Sequence, residues 1–208
     1  MEWANIISSI AMALIFAVGL PLAIRKRKKA GPKKLQEFVQ HLLEIGVKAT
    51  LQEKGAIQGK AGMSRGSGQR SEGVVAIKER NFDYISVVSV ASQYGVNYFL
   101  DYLVRSPDYP GQKKRKKTRM LKKKSQAIRG RVTDIGWKGD EQLAQELNYD
   151  YGLKDRLLLA EPEELKGNIE ILPESKNGYA RIRTAYVLPS QEFFAAIDTI
   201  AKHVKAGW

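Results

Sequence analysis

Gly62-Met63-Ser64-Arg65-Gly66 has the Gly-x-Ser-x-Gly spacing of a nucleophile elbow, in which a strained strand-to-helix turn holds a serine hydroxyl beside a histidine. That strain requires a strand leading in and a helix leading out, and here both flanks are glycine-rich. The match is therefore assigned to chance. The stretch Gly55 to Lys60 falls one residue short of a phosphate-binding loop, and Ala61 stands where the Mg²⁺-binding hydroxyl belongs. His41 and His203, the two histidines, fall in separate predicted helices with no Asp or Glu at a repeating spacing. They read as interfacial and helix-ending side chains and not as catalytic bases. The acids Asp140 and Glu141, and Glu161, Glu163 and Glu164, are expected to be solvated, at a helix start or in a loop. No cysteine is present, which removes disulfide scaffolds, thiol nucleophiles and Cys-ligated metal sites. The expectation is no catalytic set, no metal and no cofactor.

The strongest chemical signal is cationic. The 208 residues carry 35 Lys and Arg against 22 Asp and Glu, a formal charge of +13. Two acid-free blocks account for it. Arg25 to Lys34 holds seven basic residues, among them Arg25, Lys26, Arg27, Lys28 and Lys29. Lys113 to Arg131 holds eleven: Lys113, Lys114, Arg115, Lys116, Lys117, Arg119, Lys122, Lys123, Lys124, Arg129 and Arg131. Without these eighteen the remainder has seventeen basic residues against twenty-two acids, a net −5. A mildly acidic protein with two cationic inserts is unlike a histone or ribosomal chain, which is basic throughout.

The first block has a topological explanation. Ile6 to Ile24 runs nineteen residues without a charge, and a helix of that length spans roughly 28 Å, close to the hydrocarbon thickness of a bilayer. A cleaved signal peptide carries its cations before the apolar run, whereas here Glu2 precedes it and five basic residues follow. Basic residues stay cytoplasmic, so the expected protein is single-pass, with its amino terminus outside and its carboxyl-terminal domain in the cytoplasm. Trp3 would lie in the outer interfacial belt and Pro21 in the last turn. Ser9, Ala13 and Ala17 recur every four residues, a small-residue face that suits a protein partner or a homo-oligomer.

The elements behind these blocks divide as residues 1–24, a transmembrane anchor; 25–34, a basic collar; 35–54, an amphipathic helix; 55–73, a Gly-rich linker or loop; and 74–208, an α+β domain with a basic insert at 113–131. The helix rests on Leu35, Phe38, Val39, Leu42 and Leu43 at helical spacing. Three β-rich runs follow Gly73, with turns near Asn81 and at Gln93-Tyr94-Gly95; the third, Val96 to Ser106, fits a strand or a helix. A strand with a cationic face is expected from Ile128 to Trp137 and a helix over Asp140 to Asn148. Asn177-Gly178 favours a hairpin turn between Ile169 to Leu172 and Ala180 to Leu188. Ser190 is the expected N-cap of a last helix lined by Phe193, Phe194, Ile197, Ile200, Ala201 and Val204. The sum is a mostly antiparallel sheet with helices.

Three functional classes remain. The first is a non-catalytic interaction or scaffold protein whose basic clusters dock on anionic lipid headgroups, each cation near the cytoplasmic leaflet contributing about 1 kcal/mol. The second is a membrane-tethered nucleic-acid or ribosome binder. The region between Gly111 and Gly136 has no aromatic residue for base stacking, which leaves only phosphate contact. The third is an enzyme without a recognisable motif. Thr118 and Ser125 lie within the second block, where phosphorylation would remove about two charges each.

Overall fold

The computed structural model describes residues 20–53, 68–92, 94–105, 115–126, 130–174 and 178–207. The chain is α+β, with one eight-stranded sheet in the order β1-β2-β3-β4-β8-β7-β5-β6. The strands are β1 Ala49–Leu51, β2 Gln69–Ile77, β3 Tyr84–Ser92, β4 Gly95–Arg105, β5 Thr118–Lys124, β6 Val132–Lys138, β7 Glu170–Glu174 and β8 Tyr179–Ala185. Every pairing between them is antiparallel. Among the described residues four helices accompany them: α1 Leu20–Glu44, α2 Glu141–Tyr149, α3 Tyr151–Leu159 and α4 Gln191–Gly207.

One face of the sheet carries the main core. Alternation on β3 and β4 turns Ile85, Val87, Leu100, Tyr102 and Val104 toward α1 and α4. Leu35, Phe38 and Leu42 of α1 and Phe193, Ile197, Ile200 and Val204 of α4 are buried against them. Phe82 stands edge-on to both Tyr102 and Phe194, with ring centroids 5.2 and 5.5 Å away, a preferred aromatic geometry. Under β5 and β6, Met120, Ile135 and Trp137 join Leu143, Leu147, Leu153 and Leu157 of the short helices.

Local rules account for most boundaries. Asp140 caps α2 through Leu143 N, and Asp150 caps α3 through Leu153 N at 2.8 Å. Ser190 Oγ accepts from Phe193 N at 3.2 Å, as expected for an N-cap. Gly178 has φ +69° at the β7–β8 turn, the left-handed conformation that glycine tolerates without a Cβ penalty.

Several boundaries differ from the sequence reading. The helix expected over 35–54 ends at Glu44 and reaches back to Leu20, so the collar residues Arg25 to Lys29 and the Gly31-Pro32 pair are helical. Pro32 gives up one hydrogen bond there, and the following turns, fixed by Leu35, Phe38 and Leu42, carry the helix on. Residues 69–73, assigned to the glycine-rich linker, are the first half of β2, held by β3 from Gln69 opposite Val90 to Gly73 opposite Val87. Residues 55–67 of that linker, with both glycine-rich motifs, lie outside the described residues. The ambiguous run Val96 to Ser106 is strand as far as Arg105. The basic insert contains a full strand, β5, in which Thr118 and Met120 are buried while Arg119, Leu121 and Lys123 are exposed. Helix α3 has no counterpart in the sequence reading. Residues 1–19, most of the expected anchor, lie outside the described residues, and among those described no helix is long and apolar enough to cross a membrane.

Candidate functional site

Register relates the two cationic blocks. At one end of the sheet lie the first residues of β2, the β3–β4 turn where Ser92 opposes Gly95, and the end of β8, where Ala185 opposes Phe99. The start of β7 lies there as well, with Glu170 opposite both Arg183 and Arg119. Strand β5 runs on past Glu170, so Lys122 to Lys124 and the start of β6 at Val132 emerge at this same end.

Helix α1 enters there too. A Cβ on Gly31 would overlap the Glu72 carboxylate, and one on Gly73 would overlap Leu35, so the helix lies tight across the start of β2. The Lys34 ammonium sits 4.0 Å from the Tyr186 ring centroid and 5.3 Å from that of Tyr98, and Tyr186 donates its hydroxyl to Lys34 O at 2.8 Å. Burial holds the Tyr186 phenol protonated well above its ordinary range, with Glu37 adding to the effect. Toward its carboxyl end α1 heads for β1, whose Ala49 pairs with Ile77 at the far end of β2. Its amino-terminal portion, Leu20–Ala30, adds roughly 16 Å of helix leading to Gly31.

The second basic block is not one patch. Lys117, just before β5, and Lys124, its last residue, are seven residues apart, about 23 Å along an extended chain. Lys117 is paired with Glu170 at 2.6 Å, and the Lys116 backbone N–H donates to Asp140. Lys122 turns inward and donates to Leu165 O and Gly167 O at 2.5 and 2.6 Å. Burial, with the neighbouring Lys124 charge, pulls its pKa down. Arg115 is half-buried. Arg119, Lys123, Lys124 and Arg131 are exposed, with no ion pair among the described residues. Lys113, Lys114 and Arg129 lie outside them. Thr118 is fully buried and accepts from Asp140 N at 3.1 Å, which removes it as a modification site in the folded domain; Ser125 is exposed.

Beside Lys124 and Arg131 lies an open groove of about 750 Å³ between the β5–β6 tip and the segment that follows α3. Glu164 anchors that segment. It was expected to be solvated, yet it is 5% exposed and accepts from Ser190 N at 2.5 Å, Ser190 Oγ at 3.1 Å and Glu161 N at 2.7 Å. Its two oxygens thus tie the loop to the first turn of α4, a contact that requires desolvation of the carboxylate and three donors to offset it.

Two clusters have catalytic residue types. Asp101, on the sheet face turned away from the helices, is fully buried. It accepts from Arg181 Nη1 at 2.6 Å and from Arg183 Nε and Nη2 at 2.7 and 2.8 Å. These guanidinium donors occupy both carboxylate oxygens, an arrangement suited to locking β4 to β8 and not to moving protons. His203 bonds Asp150 at 2.8 Å and approaches Glu146 at 3.6 Å, so a histidine read from sequence only as helix-ending meets two acids across the helices. Asp150 is at once the cap of α3, which gives the trio a role in fastening α2, α3 and α4. His41 Nε2 donates to Pro189 O at 2.8 Å, the interfacial role expected of it. Among the described residues no cluster of His, Cys, Asp and Glu is arranged to hold a metal ion.

No protein-family model matches the chain, and neither a curated protein nor a solved structure matches it. The functional reading therefore rests on the geometry together with the sequence.

Proposed function

We propose that this is a non-catalytic, single-pass membrane protein whose cytoplasmic α+β domain docks one end of its sheet on anionic lipid headgroups. The observation that carries the reading is the arrival of α1 and the cationic β5–β6 tip at the same end of the sheet. A helix leaving the bilayer through the collar Arg25 to Lys29 would bring Lys123, Lys124 and Arg131 toward the same leaflet. The apolar run Ile6 to Ile24 supplies the anchor, and the cations that follow it set the amino terminus outside.

Three exposed cations at about 1 kcal/mol each give roughly 3 kcal/mol, on the order of a hundredfold bias toward one orientation. The anchor already prevents escape, so this energy orients the domain and does not recruit it.

The test uses the full chain in nanodiscs of neutral or phosphatidylserine-containing lipid, with amine labelling read by mass spectrometry. Protection of Lys123 and Lys124 in the anionic discs alone is the expected result. Equal labelling in both discs overturns the reading. Protection by added RNA and not by anionic lipid would instead favour a membrane-tethered nucleic-acid binder.

A further inference from the structure

The groove beside the β5–β6 tip has the lining of an amphiphile site. Lys124 and Arg131 line it together with the apolar side chains Val132, Leu158, Pro162 and Leu165. Its volume of about 750 Å³ falls within the roughly 300–1,000 Å³ of small-molecule sites, which share this pattern of apolar walls and a few convergent polar groups. A solvated charged loop needs no apolar floor, and a surface that attracts headgroups only diffusely needs no groove.

The walls are built by contacts already described. Lys122 holds the Leu165–Gly167 backbone against β5, and Glu164 holds the same segment to Ser190. Lys166 also lines the groove, but it is engaged by Glu163, and Glu161 contributes one acid. The uncommitted charge is that of Lys124 and Arg131.

We infer that this groove binds a single anionic phospholipid of the membrane, its phosphate between Lys124 and Arg131 and its glycerol and first acyl carbons on Val132, Leu158, Pro162 and Leu165. The inference deepens the docking proposal and rests on it, since the groove opens at the end of the sheet that would face the bilayer. Diffuse attraction counts cations wherever they lie. A site distinguishes those that line it from those elsewhere, such as Arg119 and Lys138 at the other end of the β5–β6 pair.

Native mass spectrometry of the full chain in neutral detergent tests it, with dioctanoyl phosphatidylglycerol, dioctanoyl phosphatidylcholine and inorganic phosphate as probes. Phosphatidylglycerol should bind with one-to-one stoichiometry. Lys124→Gln with Arg131→Gln should weaken that binding about thirtyfold, while Arg119→Gln with Lys138→Gln, an equal loss of charge at the other end of the β5–β6 pair, leaves it unchanged. Equal weakening by both pairs, equal retention of phosphatidylcholine, phosphate binding as tight as the lipid, or no adduct at all each overturns the site. If the adduct is absent while anionic nanodiscs still protect Lys123 and Lys124, the groove fails and the docking reading stands; if that protection is absent too, both fail.

Discussion

The side-chain amide of Asn148 closes both backbone groups of Trp137: its Oδ1 accepts from Trp137 N at 2.8 Å, and its Nδ2 donates to Trp137 O at 3.1 Å. Trp137 lies on β6, the last strand of the sheet, so a side chain from α2 stands where another strand would pair. Two residues earlier on the same strand, the Ile135 N–H is taken by Asp134 Oδ1 at 2.9 Å. An edge with these three backbone groups occupied is a poorer template for a second chain. Asn148→Ala should cost about 1–2 kcal/mol in chemical denaturation and produce concentration-dependent association in light scattering. Destabilisation without association would show that the amide matters for α2 packing alone.

Asp101→Asn leaves two guanidinium groups facing a neutral amide in the interior. With Asp101 fully buried and Arg181 nearly so, the expected loss is about 3–5 kcal/mol, the range for breaking a buried pair from one side. Denaturant midpoints measure it. A loss below 1 kcal/mol, roughly the worth of a surface pair, would mean that water reaches the cluster.

Gly139 has φ +145°, and a Cβ placed there would overlap the Lys117 carbonyl. The obstacle is backbone, which cannot swing aside as a side chain can. Gly139→Ala should therefore destabilise by at least about 2 kcal/mol. Gly152→Ala is the control, because its Cβ meets only the Asp150 carboxylate at 3.5 Å, an ordinary contact. The two melting temperatures should differ clearly.

Acid should loosen the helical layer through Asp150. Burial raises the pKa of this carboxyl, but hydrogen bonds from His203 and Leu153 N, with the nearby His203 and Arg156 charges, outweigh it and leave the net shift downward. A depressed folded-state pKa contributes stability above the unfolded carboxylate value near 3.9 and loses it as pH falls through the folded value. Asp150→Asn retains a capping oxygen, so it should lower the urea midpoint at pH 7 and converge with the parent as pH falls below the depressed folded-state value. A gap that stays constant with pH would assign the loss to geometry and not to charge.

What could be read from the sequence was what neighbours dictate. Strands β3 and β4, the caps Asp140 and Ser190 and the Gly178 turn follow from residues within a few positions of one another. Helix α3 escapes because Asp150 ends one helix and caps the next with no spacer, and only Leu153 and Leu157 of its nine residues are buried. Strand β5 escapes because lysine and arginine dominate its composition and hide the alternation of Thr118 and Met120. The burial of Glu164 depends on Ser190, twenty-six residues on, and cannot be read locally. The Asp101 network did leave a trace: one acid inside the apolar run Val96 to Val104, and two arginines spaced to share a strand face at Arg181 and Arg183. The cationic insert was legible as charge but not as two separate ends of one strand, because charge counting carries no register.

The strand order also sets a timetable. Asp101 on β4 meets Arg183 on β8 eighty-two residues later in the chain, and β5 and β6 join the sheet only through β7. At roughly 5–20 residues per second of synthesis, β4 waits about 4–16 s for its neighbour. During that interval the Asp101 carboxylate and the apolar side chains of β4 face solvent along an open edge, while the polybasic segment has already left the ribosome without a sheet to join. The newborn chain is therefore most exposed to mispairing in the time between its fourth strand and its last, when α1 and the strands behind it have already emerged.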